Sequence, residues 1–202
     1  MATYTTIGIC NKALLLCGAS PIASLSEDSA NARSLNAVYE ISRQDFLTEC
    51  RWNFAVTRST LATVATSVMA YMRPEEAYVY TKPAGVLRIW EMSDIEAIWR
   101  EEGGYIITDR AGLGALWTFD NSEVGLWSPK PIMAFIDKLC SDIAYQIINS
   151  IPKAESFLSK YTKISLPAAM AENSQTGAHQ EVRDNDWLNA RGGGGSASRS
   201  YD

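Results

Sequence analysis

At 202 residues, with 47% hydrophobic and 20% charged side chains, the chain has the composition of a globular protein that can bury a sizeable core. Eighteen basic against 23 acidic residues give a net charge of −5. That balance disfavours a protein gripping nucleic acid by its phosphates, though a local basic patch is compatible with it. No apolar run has the length a bilayer span needs, and Met1-Ala2-Thr3-Tyr4 lacks the basic start of a signal peptide.

A first helix is expected over residues 5–17, capped by Thr5 or Thr6, with Ile7, Cys10, Leu14 and Cys17 at helical spacing. Gly18 and Pro21 end it. Residues 19–28 read as a loop whose Ile22 and Leu25 pack back onto the helices. A second helix follows over about 29–49. Ala32, Leu35, Tyr39, Ser42 and Phe46 form its apolar stripe, and Asn31, Arg33, Glu40, Arg43 and Gln44 are expected on a solvated or partner-facing side.

The stretch Cys50–Leu61 then reads as a junction, in which Trp52 and Phe54 anchor a chain reversal between Arg51 and Arg58. Both aromatics are too large to leave exposed on a monomer, so they are expected to plug the helix core or a subunit contact.

From about 55 to 127 the period changes. Ala77–Thr81 and Val86–Glu91 read as strands around the turn signal Lys82-Pro83-Ala84-Gly85. Ile95–Glu101 and Tyr105–Thr108 flank Glu102-Gly103-Gly104 as a hairpin, and Ala115–Phe119 is a further strand. Residues 62–76, rich in Ala, Thr and Ser, are expected to be a loop.

Helix returns over 128–150, with Pro129 and Pro131 at its start and apolar residues around most of its circumference, the pattern of a central helix. After Pro152 another helix carries Ala154, Phe157, Leu158, Tyr161 and Ile164 until Pro167 kinks or ends it, and 168–178 continue it. The polar segment from 179 holds one apolar pair, Trp187-Leu188, then Arg191 and the run Gly192–Gly195; it is expected to be flexible and to order on a partner.

The fold class is therefore α+β: a mostly α-helical bundle (1–54 and 128–178), an inserted small antiparallel β region (55–127) and an extended C-terminal tail (179–202).

Little in the sequence points to catalysis. There is a single histidine, His179, and no G-x-S-x-G, so no triad is expected. Cys10, Cys17, Cys50 and Cys140 form no C-x-x-C pair and read as buried free thiols in a reducing cytosol, with no metal site and no cofactor. Glu101, Glu102 and Asp109 lie near Trp99, Tyr105 and Trp117, the materials of a carbohydrate site. A glycosidase needs two acids at a defined separation across a cleft, which spacing along the chain does not establish. A charged hairpin tip is the plainer reading.

The assembled pattern resembles the tail tubular protein A family of short-tailed phages, the head-to-tail adaptors of T7-like virions. The residues that carry the resemblance are Asn11–Gly18 with Ser20-Pro21-Ile22 and Ser24-Leu25; Tyr39 and Arg43 leading into Trp52-Asn53-Phe54-Ala55, Arg58 and Leu61-Ala62; Tyr80, Pro83 and Leu87-Arg88-Ile89; and Trp127-Ser128-Pro129, the helix over 131–150, Tyr161, Ala168-Ala169 and Asp186-Trp187-Leu188 with Arg191. It spans about residues 5–191 and rests on the ordered combination. The chain departs from the family in its early cysteines, in Pro167 and in Gly192–Gly195.

The resemblance implies a non-enzymatic virion protein, made in the host cytoplasm and placed in the tail below the portal. It would form a homo-oligomeric ring, a dodecamer in the family, docking the portal protein above and the nozzle (tail tubular protein B) beneath, with tail fibres at the rim in some members. Double-stranded DNA would pass through the lumen without specific binding, and no membrane is involved. Trp187, Leu188 and Arg191 become the portal-interface candidates, and Trp52 and Phe54 the structural anchor. Two rivals stand beside it: a tail-associated glycan hydrolase using the Trp-rich β insertion, and a DNA-binding gate protein.

Overall fold

The computed structural model describes residues 4–176. The expectations for the C-terminal tail, including His179, Trp187, Leu188, Arg191 and Gly192–Gly195, lie outside the described residues. Within them the chain is α+β, with helices and two antiparallel sheets.

Helix α1 (Thr6–Leu16) starts where the Thr5 hydroxyl accepts the Gly8 N–H, and Gly18 follows it at φ 76°, the left-handed position glycine takes most easily. Helix α2 (Ala30–Glu49) starts at Ser29, whose hydroxyl accepts the Ala32 N–H. Helix α3 (Pro129–Ile148) ends at Asn149, held at φ 52°, and the chain turns directly into α4 (Ile151–Lys160). Ile9, Ala13 and Leu14 of α1, Leu35, Phe46 and Leu47 of α2, and Ile132, Phe135, Leu139 and Ile143 of α3 fill the main core.

Pro167 does not end the last helix. The chain widens into a π-helical turn, Tyr161–Ser165, and then runs on as α5 (Leu166–Gln175) with the proline in its first turn. A proline has no N–H to give and crowds the preceding turn. The wider turn takes up that defect, so the arm stays continuous.

The insertion holds two sheets. One has the order β1 (Val56–Thr60), β7 (Gly114–Phe119), β4 (Val86–Met92); the other has β2 (Ala62–Val64), β3 (Tyr78–Thr81), β6 (Tyr105–Thr108), β5 (Trp99–Glu102). They share a second, smaller core of Leu61, Tyr80, Ile89, Ile106, Leu113 and Trp117. The β5–β6 hairpin turns on Gly103 and Gly104, both at positive φ, as a two-residue turn of this hand demands.

Three expectations need correction here. Residues 56–60 and 62–64, read as junction and loop, are strands; β1 is exposed along four of its five positions, so it shows no apolar alternation. The strand expected at Ile95 begins only at Trp99, because Asp94 holds a turn before it: its side chain accepts the Glu96 N–H and its carbonyl the Ala97 N–H. Arg43, expected on the solvated or partner-facing side of α2, is only 3% exposed and pairs with Asp120 within the chain.

Candidate functional site

Trp52 and Phe54 sit at the seam between helices and sheets. Trp52 is fully buried, stacked on Phe46 at 4.8 Å between ring centroids, and its indole N–H donates to the Phe46 carbonyl at 2.9 Å. That bond satisfies the one polar atom of a side chain otherwise surrounded by carbon. Half-buried Phe54 stacks on Trp127 at 4.9 Å, and Trp127 packs on Phe46 and Phe135. The ladder Trp52–Phe46–Trp127–Phe54 thus joins the end of α2, the junction and the entry to α3.

Polar contacts fix the backbone around this ladder. The Asn53 N–H donates to the Asn173 Oδ1, the Asn53 amide to the Asn173 carbonyl, and the Asn173 amide to the Arg51 carbonyl, all at 2.8 Å. Asn173 lies in the last turn of α5, so the end of the helical arm clamps the junction. From the sheet side, Asn121 donates to the Phe54 carbonyl at 2.6 Å and the Phe119 N–H to the Ala55 carbonyl at 2.9 Å. Arg88 of β4 donates to the Thr48 carbonyl at 2.9 Å, where the last turn of α2 leaves acceptors free, and stacks over Trp90. Arg51 pairs with Glu91 at 3.0 Å.

Three buried ionic groups reinforce the seam and the helices around it. Arg43 pairs with Asp120 at 2.6 Å and with Glu40, and Gln44 reaches the second Asp120 oxygen at 2.9 Å. Burial opposes the Arg43 charge, yet Glu40 and Asp120 outweigh it and raise its pKa. On the opposite side of α2, Lys138 of α3 pairs with Asp45 at 2.6 Å and Glu49 at 3.3 Å, while the Tyr161 hydroxyl donates to Glu49. Asp137, 2% exposed on its side chain, takes Lys160 at 2.7 Å and the Ser165 hydroxyl. The π-helical turn is therefore pinned to α2 and α3 through Tyr161 and Ser165. Burial first, and the Glu49 carboxylate second, push the Tyr161 hydroxyl well above the usual phenol range.

The carboxylates of the carbohydrate reading are each engaged. Glu101 pairs with Lys82, Glu102 with Arg100 at 2.9 Å, and Asp109 accepts the Ile98 N–H at 2.9 Å beside Arg110. Trp117 is buried in the small core. Two grooves on the sheets, of about 460 and 440 Å³, are lined by Arg58, Thr60, Glu91 and Leu116 and by Trp90, Asp94, Ile95 and Trp99; none of the three carboxylates lines either. Among the described residues no group of three or more His, Cys, Asp or Glu is placed to hold a metal, and no helix is long and apolar enough to cross a membrane.

The sequence gives no local sign of Asn173, Asp120 or Asn121. Each is an ordinary polar residue whose partner is far away along the chain. In comparisons with known proteins, no family model matches this chain and no curated protein matches it.

Proposed function

We propose that the chain is a structural subunit of a phage virion, a head-to-tail adaptor that forms a ring between the portal protein and the tail nozzle. The genome passes through the ring, and the protein performs no catalysis. The resemblance to the tail tubular protein A family, stated above on its residues, is the source of this reading.

One structural observation supports it. Helix α4 has no fully buried residue, although Ile151, Phe157 and Leu158 are apolar, and Ile151 and Leu158 are 58% and 50% exposed. Seven positions apart, these two share one face of the helix. Ile164 on the following turn is 64% exposed. The arm that carries them is nonetheless held tightly, at its π-helical turn by Tyr161 and Ser165 and at its end by Asn173. A rigid arm with an uncovered apolar face suits a side-by-side contact with a neighbouring copy. A closed ring needs a heterologous contact of that kind.

In this reading the helical unit makes the ring, and the segment with Trp187, Leu188 and Arg191 meets the portal. Leu158→Asp should then leave the monomer folded, by circular dichroism and thermal melting, while abolishing ring formation on the portal. Full ring assembly by Leu158→Asp would remove α4 from the subunit contact.

A further inference from the structure

We propose that α4 of one copy lies in the larger sheet groove of the next, with Ile151 and Leu158 against its apolar floor and Glu155 paired with Arg58 of the neighbouring copy. The inference rests on the adaptor reading and names the surface that α4 meets.

On α4 the charge sits inside the apolar stripe. Glu155 follows Ile151 by four positions and precedes Leu158 by three, so the three side chains share one face. All three are exposed, and within its own chain α4 packs chiefly on α3 and the π-helical turn. Among the described residues no base pairs with Glu155, while Lys160 of the same helix is taken by Asp137.

The groove of about 460 Å³ offers the matching surface. Leu116 of β7 lies opposite Arg58 of β1 on one side and Glu91 of β4 on the other, so a row across the sheet runs base, leucine, acid. Arg51 already holds Glu91 at 3.0 Å, which leaves Arg58 as the uncompensated charge of the groove among the described residues. Met92 and Leu116 supply apolar surface, and Gly112 and Gly114 place no side chain in the way. A Cβ at Gly114 would stand 3.1 Å from the Ser59 carbonyl oxygen, tight enough that the strand would have to shift, so the depression belongs to the pairing itself.

An apolar helix face with one central acid thus fits an apolar groove with one unpaired base, the helix-in-groove mode of recognition. The two patches are different parts of the chain. Each copy therefore offers one patch to each neighbour, the heterologous contact from which a closed ring is built. The Asn173 clamp on Asn53 lies three residues before β1, so it fixes the helical arm against the strand that carries Arg58 and sets the angle between successive copies.

The test reverses each charge in the full chain and follows ring formation on the portal by negative-stain imaging. Glu155 and Arg58 are exposed, so Glu155→Arg and Arg58→Glu should each stay folded by circular dichroism. Each should lower the ring yield at least about tenfold through like-charge contact. Both substitutions in one chain should restore it, and so should an equal mixture of the two single variants, whose copies pair when they alternate. Should a reversal fail to fold, Glu155→Gln and Arg58→Gln supply the comparison: each lowers the yield, and their combination lowers it no further. Wild-type rings with a single reversal still assembling fully, or with the combined variant as poor as the singles, would overturn this contact and leave the adaptor reading standing. No ring from the wild type would remove both.

Discussion

Single side chains hold the seam between the helices and the sheets, and Trp52 is the largest of them. Replacing it with alanine removes a fully buried indole stacked on Phe46 and orphans the Phe46 carbonyl. The expected cost is about 3–5 kcal/mol, read by urea unfolding. Tyr39 and Tyr161 give a pH signature. Burial raises the Tyr39 hydroxyl to about 12, and Tyr161 is raised too. Raised native pKa values mean that the folded protein keeps protons the unfolded chain gives up. The stability they contribute is therefore complete below the unfolded value of about 10 and falls as pH rises beyond it. Tyr39→Phe should flatten the loss between about pH 10 and pH 12 by about 2 kcal/mol, measured as the shift in urea midpoint across that range. The two kinds of residue differed in how visible they were. A tryptophan after an amphipathic helix announces a buried anchor through its size alone. Arg43 carried no such sign, because a charge on a helix reads as solvated until its partner is known, and Asp120 lies far along the chain.

Among the elements, the arm formed by α4, the π-helical turn and α5 runs on past Pro167, as expected for 168–178, through a π-helical turn that the sequence does not show. Pro167 was expected to kink or end the helix; the wider turn before it lets the arm continue to Asn173, which closes on the junction through three hydrogen bonds. Asn173→Ala should cost about 1–2 kcal/mol, since these bonds lie partly in solvent. It should also speed hydrogen exchange at the Asn53 amide, whose acceptor is the Asn173 side chain; unchanged exchange there would mean that the clamp is not formed. Strands β1 and β2 were hidden for another reason. A strand shows in sequence when one face is buried, and Val56–Thr60 has little buried face; what makes it a strand is its antiparallel pairing with β7. The caps of α1 were plain, because Thr5 and Gly18 act on their own neighbours.

On the scale of the whole molecule, the helices and sheets are joined by stacked rings, a buried arginine and a helix-end clamp, while apolar side chains of α4 stay uncovered. The broad α+β class was readable from the change of period near residue 55 and the return to helix after 127. The split of the insertion into two sheets was not, since strand order is set by pairings between distant segments. The proposed function rests on the ordered set of residues that resembles the phage adaptors and on no local motif. In that reading, a seam this firm lets one face of the helical unit meet a neighbouring copy without the sheets shifting. Truncation after about Glu181 would leave residues 4–176 intact and should abolish portal docking. The most direct measurement is size-exclusion chromatography with negative-stain imaging of the full chain, alone and mixed with its portal protein. The expected result is a monomer or weak oligomer alone and a closed ring on the portal. A full chain that neither binds the portal nor forms a ring in its presence would contradict the adaptor role.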